Sequence, residues 1–164
     1  LSARQFNHPD LVRMVRTILA ETGLAAQRLE LEITESMVVG DVAQAIQTMT
    51  ALRELGVHLA IDDFGTGYSS LSYLKTFPVN SLKVDRAFVG ELHNAPEDAA
   101  IVESVVALGR NLGLAVVAEG VEQADHIATL RALGCDYAQG FHIARPATMD
   151  ATLPALIKGQ NRSA

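Results

Sequence analysis

The sequence predicts an α/β fold in which helices alternate with buried parallel strands. Four segments repeat apolar residues at the period of a helix, and each is followed by a glycine and a short apolar run of strand length. No linker separates these segments, a pattern typical of βαβ units. The Leu-Gly pairs at 55–56 and 112–113 each precede a carboxylate, Asp62 or Glu119, six residues after the glycine. This near-repeat indicates a barrel or another array of α/β units.

Four long helices follow from the periodic segments. The first is predicted over about 9–22, the second from Asp41 as its N-cap, the third after Pro96, and the fourth over about 123–133. Each helix ends at a glycine, because glycine adopts the left-handed conformation beyond a helix C-terminus at little cost. These glycines are Gly23, Gly56, Gly113 and Gly134. Two shorter helices are predicted over 68–77 and 151–158.

Five short apolar segments are predicted as buried strands, since their lengths and β-branched residues suit a parallel sheet. They cover 29–34, 57–62, 81–85, 114–119 and 135–139. Parallel strands place their carboxyl ends at the same edge of a sheet, which is where ligands bind in such folds. Polar residues that end these strands are therefore expected to meet.

Length and composition indicate one globular domain: 164 residues, 49% of them hydrophobic and 20% charged. The 19 acidic residues exceed the 13 basic ones, giving a net charge of −6. This balance argues against binding to a nucleic-acid polymer, which needs a basic face. The single cysteine, Cys135, cannot form an internal disulfide, so we expect a reducing, cytoplasmic location. No apolar run approaches the ~18 residues of a membrane span.

Polar residues stand at or near the carboxyl end of every predicted strand. An apolar strand that ends in a carboxylate buries a charge, and a buried charge needs a partner. Several carboxylates in one place repel each other, so a shared divalent cation is the natural partner, and oxygen ligands favour Mg²⁺ or Mn²⁺ over Zn²⁺. Any single member is more often a helix cap or a loop acceptor, so the prediction depends on the whole set. The set is Glu32, Asp62, Asp63, Lys83, Glu119 and Gln139.

The adjacent pair Asp62-Asp63 is the sharpest local feature. One carboxylate can bridge two cations while its neighbour reaches one, and two cations about 3.5–4 Å apart can clamp a phosphodiester and activate water. Lys83 would hold that water or neutralise a phosphate oxygen, and Glu119 would bind metal or orient the water. Two interpretations of the following segment, 64–70, stay equally open: a mobile loop over the strand ends, or a plain turn between strand and helix.

Five motifs, in order and at the family's spacing, resemble the EAL domain, the bacterial family of cyclic di-GMP phosphodiesterases. They are LELEITES at 29–36, IDDFGTGYSSL at 61–71, LKVD at 82–85, AEGVE at 118–122 and QGF at 139–141. The resemblance covers nearly the whole chain and implies a modified TIM barrel, a (β/α)8 fold. It also implies a reaction that opens cyclic di-GMP to linear pGpG, with two Mg²⁺ or Mn²⁺ ions as cofactors.

The resemblance assigns a role to each matching position. It makes Glu32 and Asp62 metal ligands and Asp63 the ligand of a second metal. Lys83 and Glu119 would orient the catalytic water, and Glu119 would also bind metal. Supporting roles go to three further residues: Gln139 for the water and the site geometry, Glu35 as the anchor of the mobile loop after Asp63, and Asp85 as a structural residue.

The chain also departs from the family's pattern. The Glu-Ala-Leu segment with its ligand glutamate is absent, and residues 1–6 resemble the tail of the family's third strand, whose ligand asparagine would precede Leu1. We therefore expect residues 1–164 to form a truncated EAL phosphodiesterase domain, an incomplete barrel with about five of eight βα units, that is inactive alone. We expect cyclic di-GMP as its ligand, a homodimer or swapped oligomer, and a sensory or GGDEF-type domain upstream in the parent protein.

Two alternatives stay open. A non-catalytic cyclic di-GMP-binding or scaffold module would have lost metal-site residues, whereas the matching positions here are intact. Five βα units in 164 residues also suit a flavodoxin-like receiver, in which an acidic pair and a lysine bind Mg²⁺ and accept a phosphoryl group. Against the receiver stand Glu32, Glu119 and Gln139, which exceed what that chemistry requires.

Overall fold

The computed structural model describes residues 1–38, 41–65, 71–93 and 95–152, which contain seven α-helices and five β-strands. The helices are α1 (Ala3–Phe6), α2 (Leu11–Thr22), α3 (Val42–Glu54), α4 (Leu71–Leu74), α5 (Arg86–Gly90), α6 (Pro96–Leu112) and α7 (Ala124–Leu133). The strands are β1 (Glu30–Thr34), β2 (His58–Phe64), β3 (Ser81–Val84), β4 (Ala115–Ala118) and β5 (Tyr137–Ala138). Within these ranges, no helix combines the length and the apolar character needed to cross a membrane.

All five strands lie in one parallel sheet in the order β1-β2-β3-β4-β5. Each strand pairs with the next strand in the sequence, which is how the wall of a βα barrel is built. A flavodoxin-like receiver has the order 2-1-3-4-5, so the topology contradicts that alternative. The predicted α/β fold with parallel strands is confirmed, and every strand overlaps its predicted segment.

Local capping explains where the long helices begin and end. Asp41 caps α3, because its Oδ1 accepts a hydrogen bond from the Gln44 backbone N–H at 2.9 Å. Pro96 occupies the first turn of α6, where its missing N–H costs nothing. The residues that follow α2, α6 and α7 are left-handed glycines: Gly23, Gly113 and Gly134. The predicted starts of α3 and α6 and the predicted ends of α2, α6 and α7 are confirmed, whereas α2 begins at Leu11, two residues after the predicted start, and the C-cap of α3 is Leu55, directly before Gly56.

Two short helices differ from the expectations. Residues 1–6 do not form the tail of a strand, since Ser2 and Gln5 cap each other's backbone N–H groups and start α1. Asp85 starts α5 by accepting a hydrogen bond from the Ala87 N–H at 2.7 Å.

Helix α4 lies inside the helix predicted over 68–77, whose first residues, 68–70, are outside the described ranges. Residues 153–158 of the helix predicted over 151–158 also lie outside them.

The two faces of the sheet differ in chemistry. Contacts of Lys83 with Glu32 and of Ser81 with Glu30 place these four residues on one face, as the two-residue period of a strand requires. The alternate residues of the strands are apolar and pack with helix residues such as Met49 into one core. The buried strand residues on that side include Ile33, Leu59, Ile61, Leu82, Val84 and Val116. The sheet therefore separates an apolar, helix-packed face from a face that carries ionisable residues.

Candidate active site at the carboxyl edge of the sheet

Lys83 lies at the centre of a group of carboxylates where the strands end. Its Nζ is 2.5 Å from Glu32 Oε1 on β1, 3.1 Å from Asp62 Oδ1 on β2, and 2.5 Å from Glu119 Oε1 directly after β4. The sheet brings these residues together because the strands that carry them are parallel and adjacent. We refer to Glu32, Asp62, Asp63, Lys83 and Glu119 as the carboxyl-edge cluster.

The surroundings of Lys83 favour its charged form. Only 5% of its surface is exposed, and burial alone would lower the pKa of the ammonium group. The hydrogen bonds that it donates to Glu119 and Glu32 outweigh burial and hold the pKa of Lys83 above its ordinary value. Lys83 therefore stays protonated at neutral pH and offsets part of the negative charge of the carboxylates around it.

Asp63 breaks the regular alternation of a strand. Consecutive strand residues point to opposite faces, so a regular β2 would separate the side chains of Asp62 and Asp63. Asp63 instead has a left-handed φ of 54°, and the pairing of β2 with β3 shifts its register between Ile61 and Phe64. As a result, carboxylate oxygens of Asp62, Asp63 and Glu119 lie within 4.8 Å of one another. An irregular backbone thus delivers two adjacent carboxylates to one site.

The surroundings of Asp63 disfavour ionisation of its carboxyl group. Partial burial, the charge of Asp62 and a hydrogen bond with Asp85, in decreasing order, raise the pKa of Asp63 above its ordinary value. Asp85 also caps α5, which supports the structural role predicted for it. The local electrostatics therefore disfavour ionisation of Asp63.

The carboxyl-edge cluster fits a divalent cation. Glu32, Asp62 and Glu119 share the Lys83 ammonium, and Asp63 lies beside Asp62 and Glu119, so the cluster has four carboxyl groups and one ammonium. Asp62 Oδ1 is buried and receives no aligned hydrogen bond from the described residues, although Lys83 Nζ is 3.1 Å away. All of the candidate metal ligands are carboxylate oxygens, which is the ligand type that Mg²⁺ and Mn²⁺ prefer.

Backbone hydrogen bonds hold Glu119 and Gln139 at the same edge. The Glu119 N–H donates to the Val84 carbonyl at 3.1 Å, and the Gln139 N–H donates to the Ala118 carbonyl at 2.8 Å. The Gln139 side chain is exposed, and within the described ranges no hydrogen bond joins it to the carboxyl-edge cluster. The structure thus brings five of the six predicted residues into contact and leaves Gln139 beside them.

Gly120 is absent from the predicted site, yet it fixes the position of Glu119. Its φ is +70°, and a Cβ atom at this position would collide with the side chain of Arg86 at the start of α5. Only glycine combines this backbone conformation with such a close approach. The available sequence signal is a glycine directly after a polar residue that ends a strand.

Glu35, the predicted loop anchor, lies in the 3-10 turn Glu35–Val38 and is 7% exposed. Neither of its carboxylate oxygens has a hydrogen-bond partner among the described residues. Residues 66–70 of the predicted loop segment 64–70 lie outside those residues, so the anchoring role of Glu35 stays a prediction.

Sequence comparisons match this chain to a known family. The family model for the EAL domain matches residues 1–146. The bifunctional diguanylate cyclase/cyclic di-GMP phosphodiesterase MucR of Pseudomonas aeruginosa is 46% identical over 156 residues, which are 95% of this chain and 23% of that protein. The cyclic di-GMP phosphodiesterase NbdA of the same organism is 44% identical over 149 residues, 91% of this chain and 19% of that protein. The chain therefore spans about a fifth of the length of these relatives.

Solved structures show the same likeness. A MucR phosphodiesterase in complex with cyclic di-GMP matches with a TM-score of 0.90 at 47% identity, covering 93% of this chain and 62% of that one. Klebsiella pneumoniae BlrP1, in a manganese and cyclic di-GMP complex, matches with a TM-score of 0.77 at 40% identity, covering 84% and 35%. These matches confirm the predicted TIM-barrel-like fold class, represented here by five parallel strands. On its motifs, its topology and these comparisons, the chain belongs to the EAL domain family.

Proposed function

We propose that this chain is part of a phosphodiesterase that hydrolyses cyclic di-GMP to linear pGpG with two divalent cations, Mg²⁺ or Mn²⁺. The observation that carries the proposal is the carboxyl-edge cluster, in which oxygens of Asp62, Asp63 and Glu119 lie within 4.8 Å beside the buried Lys83 ammonium. Relatives named as cyclic di-GMP phosphodiesterases support it, as does a neighbour solved with manganese and cyclic di-GMP.

Four carboxylates of the cluster would hold the cations. Glu32, Asp62 and Glu119 serve the first cation, and Asp63 serves the second. The buried Asp62 Oδ1, which lacks an aligned donor among the described residues, and the left-handed backbone of Asp63 support these assignments. When bound, the cations polarise the phosphodiester and strengthen water as a nucleophile.

The residues of the chain position the reactants. Hydrolysis joins a water oxygen to phosphorus while the bond from phosphorus to the ribose 3′-oxygen breaks, and a proton passes from the water to the released oxygen. Glu119 accepts a hydrogen bond from the water and orients it. Lys83 would hold the water or offset the charge that develops on the phosphate oxygens. Gln139, at the same edge of the sheet, supports the water and the site geometry.

The remaining parts of the proposal concern the whole protein. We propose that residues 1–164 are a truncated EAL phosphodiesterase domain, and that turnover also requires the Glu-Ala-Leu segment, which is not among these residues. Glu35 would anchor the loop after Asp63 and connect it to a homodimer or swapped oligomer. MucR is named as both a diguanylate cyclase and a cyclic di-GMP phosphodiesterase. By analogy, we propose a sensory or GGDEF-type domain upstream of this chain in the parent protein. The free thiol of Cys135 suits a cytoplasmic location.

Turnover of cyclic di-GMP by the longer natural protein that contains this chain tests the proposal. With Mn²⁺ or Mg²⁺, we expect release of pGpG, measured by chromatography, and a loss of about 100-fold or more in the rate for Asp62→Asn. Asp150→Asn, an exposed acid outside the cluster, is the matched control and should retain the rate. Calorimetric binding of cyclic di-GMP without turnover would instead indicate a non-catalytic binding module. Full turnover by Asp62→Asn would contradict the assigned site.

A further inference from the structure

A second group of metal-ligating side chains lies away from the carboxyl-edge cluster. His93 lies in the turn after α5, and Asp125 and His126 lie in the first turn of α7. One ligand atom from each of the three residues lies within 4.8 Å of the other two. We propose that His93, Asp125 and His126 form a binding site for Zn²⁺, separate from the proposed catalytic cations and independent of the proposed function.

The spacing of the donor atoms suits a tetrahedral ion. His93 Nε2 lies 3.6 Å from Asp125 Oδ2. Bonds of about 2.0–2.1 Å to a tetrahedral Zn²⁺ separate neighbouring ligand atoms by roughly 3.4 Å, so this pair is close to the required spacing, and the His126 ligand atom lies within 4.8 Å of both. The rings of His93 and His126 lie with their centroids 5.5 Å apart and tilted by 31°, an arrangement in which both rings border the same space.

His126 provides an independent indication of a ligand. The residue is 2% exposed, and its Nδ1 is buried with no hydrogen-bond partner among the described residues. A buried imidazole nitrogen without a partner costs free energy, because it has lost water and gained nothing. His126 itself belongs to a group of potential metal ligands that includes a second imidazole and a carboxylate. In the proposed site Nδ1 is the His126 ligand atom, and coordination of the cation would supply its missing partner.

The other two ligands leave a path for the ion. The side chains of His93 and Asp125 are 38% and 58% exposed, so an ion and a water as fourth ligand can reach the site from solvent. Asp125 Oδ1 accepts a hydrogen bond from the His126 backbone N–H at 3.0 Å, which orients the carboxylate and leaves Oδ2 on the side of His93.

The donor chemistry distinguishes the two sites. Two imidazole nitrogens and one carboxylate oxygen suit Zn²⁺, whereas the all-carboxylate cluster at the edge of the sheet suits Mg²⁺ or Mn²⁺. Zinc at this site would join the turn after α5 to the start of α7, and so link the units that follow β3 and β4. These strands lead to Lys83 and Glu119, so zinc would brace two elements that support the carboxyl-edge cluster.

Calorimetric titration with ZnCl₂ of the longer natural protein that contains this chain, prepared free of zinc, tests the site, in excess Mg²⁺ so that the carboxylate cluster does not compete. We expect one Zn²⁺ per chain, with affinity lowered at least tenfold in His93→Gln and in His126→Gln. His58→Gln and His142→Gln, exposed histidines outside the site, are the matched controls and should bind as the unmodified chain does. Because His126 is buried and its replacement can impair folding, the exposed His93→Gln variant decides the result.

Imidazole ¹⁵N NMR gives a second readout that does not depend on a variant. Zinc should shift the ring nitrogens of His93 and His126 and leave those of His8, His58 and His142 unchanged. Zinc should also raise the melting temperature of the unmodified chain but not that of His93→Gln. Unchanged affinity in His93→Gln, or zinc-induced shifts confined to other histidines, would overturn the proposal.

Discussion

Polar side chains at the two edges of the sheet meet different partners. At the amino edge, Asn80 Oδ1 accepts a hydrogen bond from the Leu59 N–H at 2.9 Å, and Asp136 Oδ2 accepts one from the Val116 N–H at 2.8 Å. At the carboxyl edge, the carboxylates of Glu32, Asp62 and Glu119 meet the ammonium of Lys83.

The difference separates a structural role from a functional one. Backbone N–H groups at the amino edge satisfy the side chains that face them, so those residues stabilise the strands and need nothing more. The carboxylates at the other edge cannot satisfy one another, because like charges repel and each pair raises the cost of ionisation. A bound cation would relieve this repulsion, which is why we propose a cation site at this edge.

The largest expected effect is the loss of the central cation of the cluster. In the longer natural protein, Lys83→Met should lower the rate of cyclic di-GMP hydrolysis by about 10²–10⁴-fold. The variant lacks the ammonium that would offset the charge on the phosphate oxygens and hold the water in place. Lys75→Met removes an exposed lysine and should leave the rate unchanged. A Lys83→Met variant that retains most of the activity would remove the distinction between the two edges.

An intermediate effect is expected at the amino edge. Asp136→Ala should lower the free energy of unfolding by about 1–2 kcal/mol, because it leaves the Val116 N–H without its acceptor. In a domain of this size that change corresponds to a fall of about 2–8 °C in melting temperature, measured by calorimetry. Asp136→Asn keeps an acceptor oxygen, so its melting temperature should fall less than that of Asp136→Ala. Loss of hydrolysis per folded molecule in Asp136→Ala would show that this edge is not only structural.

The smallest expected effect is an increase in stability. Folding raises the pKa of Asp63 above the ordinary 3.8. In the metal-free chain, this group therefore destabilises the folded state as pH rises above 3.8 and the carboxyl group ionises. Asp63→Asn cannot ionise, and asparagine tolerates the left-handed backbone. At pH 7 without metal, its melting temperature should rise by about 1–3 °C, while hydrolysis in the longer protein should be lost.

Calorimetry across pH distinguishes this effect from better packing. The gain in Asp63→Asn should disappear below pH 3.8, where Asp63 is protonated in both the folded and the unfolded chain. Asp150→Asn, which removes an exposed charge elsewhere, serves as the control. A lower melting temperature at pH 7 would mean that Asp63 is not strained by its neighbours.

The sequence predicts most of the fold, because helix period, capping residues and terminal glycines are local signals. Helices α1 and α5 could not be predicted from those signals, because a helix of about one turn is too short to show a repeat of apolar residues. Only the capping residues Ser2 and Asp85 mark where they begin. The five residues of the carboxyl-edge cluster follow from topology once parallel strands are assumed. Their contacts do not, since the left-handed backbone of Asp63 and the register shift of β2 arise from pairing with β3.

The His93 group shows a different limit. His93 and His126 are separated by a helix and a strand in the sequence, and neither lies in a ligand motif. Only the packing of the turn after α5 against the start of α7 brings their rings together. No period or local spacing indicates such a contact.

Anomalous diffraction from crystals of the longer natural protein grown with Mn²⁺ would test the central claim most directly. The account predicts manganese peaks bounded by the carboxylates of Asp62, Asp63 and Glu119, with the Lys83 ammonium beside them. Crystals that hold manganese elsewhere, and leave Lys83 bonded to Glu32 and Glu119 with no peak at this edge, would contradict it.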